Sequence, residues 1–222
     1  MSSALSLIGA RASYGSVEVL HGVTMVFPTG TVIAIVGRNG AGKSTALRCL
    51  SGLLPLRSGS VRWRSEEING LSPYERATRG MILVPDQRGV FSSLTVRENL
   101  ELVARDGRFD AALQVYPELA DRLPQRAGTL SGGEQQMLAL CRAFLRPGGV
   151  ILVDEVSRGL SPAATARTYE ALKELVNDDR VIVIVEQYVE DVLRFATLVY
   201  VLTRGEVSFA GEPGELRSGL ED

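Results

Sequence analysis

A nine-residue segment near the start of the chain restricts its fold more than any other feature. Its residues are Gly37, Arg38, Asn39, Gly40, Ala41, Gly42, Lys43, Ser44 and Thr45. They match the pattern G-x-x-x-x-G-K-[ST], in which glycines let successive N–H groups point at phosphate oxygens. An apolar run at 31–36 precedes the segment and a helix-forming run at 46–50 follows it. This order predicts a strand, a phosphate-binding loop and a helix, whereas an ordinary glycine-rich turn would need neither flank.

A second segment supplies acidic groups at the end of a predicted strand. Four apolar residues at 150–153 are followed by Asp154 and Glu155. In open α/β sheets, ligands bind where the strands end. In nucleotide chemistry Lys43 would reach the β- and γ-phosphates, and Ser44 and Asp154 would hold Mg²⁺. Glu155 would orient or deprotonate the attacking water. A buried strand with a charged end is the alternative, which the nearby phosphate loop disfavours.

Short apolar strands alternate with helical segments along most of the chain, which predicts an α/β fold with a parallel sheet. Residues from about 4 to 36 carry strand signals without helices and indicate an antiparallel portion. Strand signals disappear from about 88 to 146, where we expect an inserted helical subdomain within a single domain spanning 1–222. A later helix is expected over 162 to about 177, then a strand over 180–185, and then a helix that ends near 196.

Composition excludes several classes of protein. The net charge of −2 gives no electrostatic argument for a nucleic-acid partner. Apolar runs are much shorter than the roughly 18 residues of a membrane span. The first six residues lack the basic and apolar parts of an export signal, so we expect the chain to stay on the cytosolic side. Cys49 and Cys141 are isolated and are expected to be small buried side chains.

A third segment predicts a second anion site. Leu130, Ser131, Gly132, Gly133 and Glu134 precede a long amphipathic stretch. Ser131 and Glu134 have the spacing of a capping box, and the glycines leave N–H groups bare at the helix N-terminus. A chain with two phosphate sites suggests that one of them serves the nucleotide of another subunit.

These motifs, in this order and spacing, resemble the nucleotide-binding subunit of ATP-binding cassette (ABC) transporters over nearly the whole chain. The resemblance implies a P-loop NTPase core, a mostly parallel sheet with helices on both faces. It also implies ATP and Mg²⁺ as cofactors and two cassettes facing each other head to tail. Ser131, Gly132 and Gly133 would then touch the partner's γ-phosphate. Tyr14, which lies 23 residues before Gly37, falls where the family stacks an aromatic ring on adenine. An ordinary strand tyrosine is the alternative.

Several stretches are similar to the ATPases that take up branched-chain amino acids, urea and amides. They include the segments at 20–23, 94–100, 126–137, 159–162 and 185–187. This likeness implies an importer of branched-chain amino acids or related small polar solutes. Its partners would be transmembrane permease subunits, a second ABC ATPase subunit and, indirectly, an external substrate-binding protein. The chain would be peripheral, at the cytoplasmic face of the cell membrane.

The chain departs from the family pattern near the site of hydrolysis. Gln187 takes the place of the usual switch histidine and cannot become cationic. Either Asp86 or Gln87 fills the position that contacts Mg²⁺ or the attacking water. Both lie where the core meets the helical subdomain, by the groove for a cytoplasmic helix of the membrane subunit. Val156 and Ser161 replace the family's usual proline and aspartate.

Two alternatives to a transport ATPase remain at this stage. One is a soluble ABC ATPase that acts as an assembly factor, because a shared site can serve different partners. The other is a cassette that binds ATP and hydrolyses it weakly, which the three substitutions Gln187, Asp86 and Val156 suggest. An intact Glu155 and the segment 130–133 argue against weak hydrolysis.

Overall fold

The computed structural model describes residues 3–86, 89–104, 106–146, 148–176, 179–187 and 189–218. The strands are β1 (Ser3–Tyr14), β2 (Val17–Pro28), β3 (Thr31–Val36), β4 (Ser58–Trp63), β5 (Glu66–Glu67), β6 (Met81–Val84), β7 (Val150–Asp154), β8 (Val181–Glu186), β9 (Leu198–Thr203) and β10 (Glu206–Gly211). The α-helices are α1 (Lys43–Ser51), α2 (Pro73–Thr78), α3 (Val96–Glu101), α4 (Asp110–Val115), α5 (Gly132–Leu145), α6 (Pro162–Glu174), α7 (Val189–Val192) and α8 (Pro213–Ser218).

The larger sheet has the strand order β10-β9-β3-β8-β7-β6. Its neighbouring strands from β9 to β6 pair in parallel, and β10 pairs antiparallel with β9 at one edge. Every residue of β3, β7 and β8 is buried. Strands buried on both faces read as continuous apolar runs, which is why the sequence signalled them clearly. The predicted α/β fold with a mostly parallel sheet is confirmed.

A second, antiparallel sheet has the order β2-β1-β4-β5, so the predicted antiparallel portion is confirmed. Successive side chains of a strand point to opposite faces. Accordingly, Ile33 and Ile35 of β3 join a core with the antiparallel sheet and α1, while Val32 and Ala34 join the core on the other face. The loop between β3 and α1 is therefore fixed at both ends by buried side chains.

Helices α3, α4 and α5 and two short 3₁₀ turns lie between β6 and β7, and the described part of this region contains no strand. Buried side chains of all three helices join the core on one face of the parallel sheet. Whether residues 88–146 form a separate subdomain stays a prediction. No helix in the described ranges has the length and apolar character needed to cross a membrane.

The structure differs from the predicted elements in several places, and α8 was not predicted at all. Helix α7 ends at Val192, not near 196, and the Thr197 N–H donates to the Val32 carbonyl at 2.7 Å, which returns the chain to the sheet. Helix α6 ends at Glu174. Strands β4 and β5 were not predicted, because neither contains an apolar run. Strand β4 is instead formed by pairing with the distant β1.

Candidate nucleotide-binding site

The predicted phosphate loop joins β3 to α1 in a conformation that only glycine adopts easily. Gly42 has φ 102°, and a side chain there would also approach Leu20 Cδ2 to 2.8 Å. A Cβ at Gly37 would collide with the Leu202 carbonyl oxygen. No side chain caps α1, which begins at Lys43. An uncapped helix N-terminus presents N–H groups and positive partial charge to an anion.

Lys43 spans this loop from within. Its Nζ donates to the carbonyl oxygens of Gly37 at 2.7 Å and Arg38 at 3.2 Å, and the residue is 6% exposed. Burial lowers the pKa of Lys43, while the carboxylates of Glu155 and Asp154 oppose that change. The ammonium group is therefore held close to the acidic end of β7, as a phosphate ligand would require.

Ser44 and Asp154 meet across the gap between α1 and β7. The Ser44 hydroxyl donates to Asp154 Oδ1 at 3.0 Å. Burial, with smaller contributions from the charges of Asp86 and Glu155, raises the pKa of Asp154 from 3.8 to about 6, against the lowering effect of the Ser44 hydrogen bond. A buried carboxylate that already accepts a hydroxyl is a suitable ligand for a divalent cation.

These two oxygens fit Mg²⁺ by their chemistry. Mg²⁺ prefers oxygen ligands and is commonly held by one or two protein groups together with phosphates and water. The described residues contain no cluster of three or more acidic, histidine or cysteine side chains able to hold a metal. Such a cluster is not needed where a nucleotide supplies the remaining ligands. Ser44 and Asp154 would be the ligands that the protein contributes.

Glu155 occupies a left-handed backbone conformation, with φ 57°. This conformation costs a residue other than glycine roughly 1–3 kcal/mol and persists where surrounding contacts enforce it. Its N–H donates to the Val185 carbonyl at 2.9 Å, and its carbonyl accepts from Gln136 Nε2 at 2.9 Å. The backbone at this position is therefore held by β8 on one side and α5 on the other.

Arg158 connects two of the acidic side chains, and the sequence motifs gave no sign of it. Its Nη1 lies 3.3 Å from Glu155 Oε2 and 3.2 Å from Asp86 Oδ2. Asp86 is therefore part of the site. Gln87, the other residue proposed for that position, lies outside the described residues, so the choice between them stays a prediction.

Gln187 lines the same open cavity as the loop residue Asn39 and the carboxylate Glu155. The cavity has a volume of about 520 Å³, and its other lining residues are Ser157, Arg158, Gly159 and Glu186. Gln187 is exposed, whereas Glu186 beside it is only 1% exposed. Glu186 is the second residue that the motifs missed, although an acid at the end of an apolar run is the signal that had identified Asp154.

Tyr14 lies at the end of β1 with 43% of its surface exposed. Its phenol oxygen accepts a hydrogen bond from Arg48 Nη1 at 3.0 Å. Because Arg48 belongs to α1, this bond ties the ring to the helix that follows the phosphate loop. An exposed ring beside that helix suits stacking on a base.

Two further loop residues, Ala41 and Thr45, are buried. Ala41 and Thr45 are 5% and 6% exposed, respectively, so their side chains pack inside the protein. Their contribution to a nucleotide would come through backbone N–H groups.

The predicted second anion site begins α5. The Ser131 hydroxyl accepts from the Glu134 N–H at 3.2 Å, and the Ser131 N–H donates to Glu134 Oε2 at 2.9 Å, which confirms the capping box. Gly132 lines a separate cavity of about 280 Å³ that also contains Asp86. A Cβ at Gly133 would lie 2.6 Å from the Gly159 carbonyl oxygen, so this glycine permits close packing. Contact of residues 131–133 with another subunit's nucleotide stays a prediction.

Comparisons with known proteins agree with this geometry. Residues 20–158 match the ABC transporter family. The chain is 38% identical to the high-affinity branched-chain amino acid transport ATP-binding protein BraG of Pseudomonas aeruginosa, over 91% of this chain and 90% of that protein. It is 36% identical to the probable branched-chain amino acid transport ATP-binding protein LivF of Archaeoglobus fulgidus, over 96% and 93% of the two chains.

Solved structures show the same fold. The ATP-binding subunit of an ABC transporter superposes with a TM-score of 0.86 at 24% identity, over 99% of this chain and 94% of that one. The cassette MJ1267 in its ADP conformation superposes with a TM-score of 0.82 at 23% identity, over 100% and 96%. These comparisons agree with the arrangement of loop, acids and helix in the structure, and the two relatives align over at least 90% of each chain. The chain therefore belongs to the ABC transporter family as an ATP-binding, ATP-hydrolysing subunit.

Proposed function

We propose that the chain hydrolyses Mg²⁺-bound ATP at the end of β7 and uses the reaction to drive a membrane importer. The observation that carries the proposal is the meeting of Ser44 with Asp154 at 3.0 Å beside the uncapped α1. It joins a helix N-terminus suited to phosphate with a hydroxyl and a carboxylate suited to a divalent cation.

The chain's own residues divide the work in this proposal. The loop N–H groups and Lys43 bind the β- and γ-phosphates, and Ser44 and Asp154 hold Mg²⁺, with Asp86 or Gln87 as a further ligand. Bound Mg²⁺ neutralises phosphate charge that develops during transfer. Glu155 orients the attacking water or accepts its proton, and Gln187 hydrogen-bonds the γ-phosphate or that water.

Two cassettes close over the nucleotides in the proposed cycle. The N-terminus of α5, with Ser131, Gly132 and Gly133, binds the γ-phosphate held by the partner subunit. A ligand that makes contacts only in the closed pair shifts the population toward it, and hydrolysis reverses that shift. The second cassette is either a copy of this chain or a different ATPase subunit.

A groove between the core and helices α3 and α5 is the proposed seat of the permease. It has a volume of about 400 Å³ and is lined by apolar and basic side chains. Leu53, Phe91 and Leu102 line it, and each is more than half exposed, at 55%, 53% and 53% respectively. Exposed apolar side chains grouped in one groove mark an interaction site. A cytoplasmic helix of a transmembrane subunit would cover them and place this chain at the cytoplasmic face of the membrane.

The substrate class follows from the relatives. Both curated relatives described above are named as branched-chain amino acid transport ATP-binding proteins. We therefore propose branched-chain amino acids or related small polar solutes as the cargo, which an external binding protein would deliver to the permease.

Glu155→Gln tests the catalytic part of the proposal. Glutamine keeps the size of the side chain and removes its capacity to accept a proton, so we expect ATP to bind normally and turnover to fall by about 100-fold or more. Glu170→Gln makes the same chemical change at an exposed position of α6 and should leave turnover unchanged. Equal turnover in Glu155→Gln and Glu170→Gln would remove Glu155 from the reaction.

Capture of partners tests the transport part. Tagged Glu155→Gln, incubated with Mg²⁺ and ATP, would be recovered from detergent-solubilised native membranes and its partners identified by mass spectrometry. We expect multi-span membrane proteins and a cassette subunit. Recovery of soluble proteins alone would favour the assembly-factor alternative. A complete complex with negligible ATP turnover would favour the weakly hydrolysing one.

A further inference from the structure

Glu186, the last residue of β8, is a buried carboxylate with four hydrogen-bond donors. It is 1% exposed. Oε1 accepts from the Ser157 N–H at 2.8 Å and from the Tyr169 hydroxyl at 3.0 Å. Oε2 accepts from the Ser157 hydroxyl at 3.1 Å and from the Gln187 N–H at 3.2 Å.

The donors explain why a carboxylate is required at this position. A buried charge needs hydrogen bonds on its oxygens, and here each oxygen receives one backbone N–H and one hydroxyl. Burial and the nearby Glu186 charge raise the pKa of Tyr169, so its hydroxyl remains a donor at neutral pH. In a glutamine, an NH₂ group would replace one of the two carboxylate oxygens. Because each oxygen of Glu186 accepts a backbone N–H, that NH₂ donor would face an N–H donor in either orientation of the amide.

Glu186 joins two segments that line the same cavity and come from the ends of different strands, β7 and β8. On one side it holds the backbone of Gln187, which lines the Glu155 cavity. On the other side it holds both donors of Ser157, two residues before Gly159. The Gly159 carbonyl lies against Gly133 at the start of α5, where a Cβ would come within 2.6 Å of it. One carboxylate therefore connects the cavity to the N-terminus of α5 through a single short segment.

We propose that Glu186 is a positioning residue that transmits the state of the nucleotide cavity from Gln187 to the segment 157–161 and then to Gly133. This role rests on the proposed function, because it assumes that nucleotide enters the cavity. It adds to that function a path by which bound nucleotide alters the surface that the chain presents to a second cassette. Glu186 itself touches neither nucleotide nor water in this role.

Hydrogen–deuterium exchange of the full chain tests the proposal in the absence of partners. The probe is AMP-PNP with Mg²⁺, and exchange is followed in peptides that cover 37–45, 131–137 and 155–161. In the wild-type chain we expect nucleotide to slow exchange by at least about threefold in all three segments. In Glu186→Gln we expect slowing at 37–45 alone, because nucleotide binds but the link to the other two segments is broken.

The outcomes separate the two proposals. Slowing at 155–161 and 131–137 in Glu186→Gln that equals the slowing in the wild-type chain would overturn the role of Glu186. Slowing in the wild-type chain that is confined to 37–45 would overturn it too. Absence of any slowing at 37–45 in the wild-type chain would instead contradict nucleotide binding itself. Tyr116→Phe is the matched control, because it removes a buried hydrogen bond of 2.8 Å between the hydroxyls of Tyr116 and Thr168. Thr168 lies on α6, as Tyr169 does, and the hydrogen bonds of Glu186 are left unchanged. The response of Tyr116→Phe should be that of the wild-type chain.

Steady-state kinetics supply a second readout. Glu186→Gln should lower kcat by about tenfold or more while KM for ATP stays within about twofold, which is the pattern of an interaction lost after binding. Tyr116→Phe should change neither value per folded molecule. If Glu186→Gln fails to fold, the double variant Ser157→Ala and Tyr169→Phe removes only the two hydroxyl donors. We then expect a partial loss of slowing at 155–161, and a full wild-type response would overturn the proposal.

Discussion

Asp154 combines two opposed demands at the level of a single residue. Burial makes its charge unfavourable, yet the same burial gives a divalent cation an unscreened carboxylate. The pKa near 6 in the folded chain lies above the value of 3.8 for an unperturbed aspartate. The ionised side chain therefore destabilises the nucleotide-free protein, as expected of a group that serves ligand binding.

Asp154→Asn should stabilise the nucleotide-free chain and reduce Mg²⁺-dependent turnover. The difference between 3.8 and about 6 corresponds to at most about 3 kcal/mol. Because the folded pKa is the higher one, the penalty is complete above about pH 6 and fades as the pH falls toward 3.8. Asparagine still offers Ser44 an acceptor. Urea unfolding at pH 7.5 and pH 5 measures the gain, which should shrink at the lower pH.

A matched surface change controls for the loss of charge in this measurement. Asp121→Asn alters an exposed aspartate and should change the free energy of unfolding by less than about 0.5 kcal/mol. A destabilised Asp154→Asn at pH 7.5 would contradict the argument from burial.

At the level of elements, α3 and α5 begin with the same device and are expected to use it differently. In α3 the Thr95 hydroxyl accepts from the Glu98 N–H at 3.1 Å, and in α5 the Ser131 hydroxyl accepts from the Glu134 N–H at 3.2 Å. Both caps satisfy N–H groups that a helix start leaves unpaired. Only the α5 cap adjoins the glycines proposed to bind a nucleotide.

The pair Thr95→Ala and Ser131→Ala separates stability from function. Each variant loses an N-cap, and we expect each to lower the free energy of unfolding by about 1 kcal/mol. Only Ser131→Ala should also reduce ATP turnover in the assembled pair of cassettes. Unfolding curves and turnover assays of both variants measure the two effects, and an equal fall in turnover would assign Ser131 a capping role alone.

For the whole molecule, the groove between the core and helices α3 and α5 is the proposed docking site of the permease. Phe91 and Leu102 come from different segments, and both line it. The basic side chains of Arg142 and Arg146 line the same groove. The groove exists only where the sheet and the helices pack together. If nucleotide moves the sheet or the helices, the movement would therefore reach a partner bound in the groove.

The double variant Phe91→Ser and Leu102→Ser should lose the permease and keep the chemistry. Removal of two exposed apolar side chains weakens docking at the groove, and we expect capture of membrane partners to fall by about tenfold or more. ATP binding by the variant should match that of the wild-type chain. Ile8→Ser and Val26→Ser, at exposed positions of the antiparallel sheet, form the control. Equal capture by both double variants would exclude the groove as the docking site.

Local pattern was enough to predict the parts of this fold that depend on local order. The buried strands β3, β7 and β8 are continuous apolar runs, and the loop at 37–45 is a motif of consecutive residues. Cys49 and Cys141 are free and buried, as their isolation in apolar surroundings predicted. Strands β4 and β5 escaped prediction because their pairing, with β1 and with each other, has no signature in their own residues.

Motifs of neighbouring residues were enough to identify the family, the phosphate loop, the acids Asp154 and Glu155, and the capped start of α5. The connections between these parts depend on contacts between residues that are distant in the sequence. Arg158 meets Asp86 across 72 positions of sequence, and Glu186 meets Ser157 across 29. Such contacts depend on the order of strands in the sheet, which brings the ends of β6, β7 and β8 to one edge. No local pattern specifies that order, because it is the packing of both sheet faces that selects it.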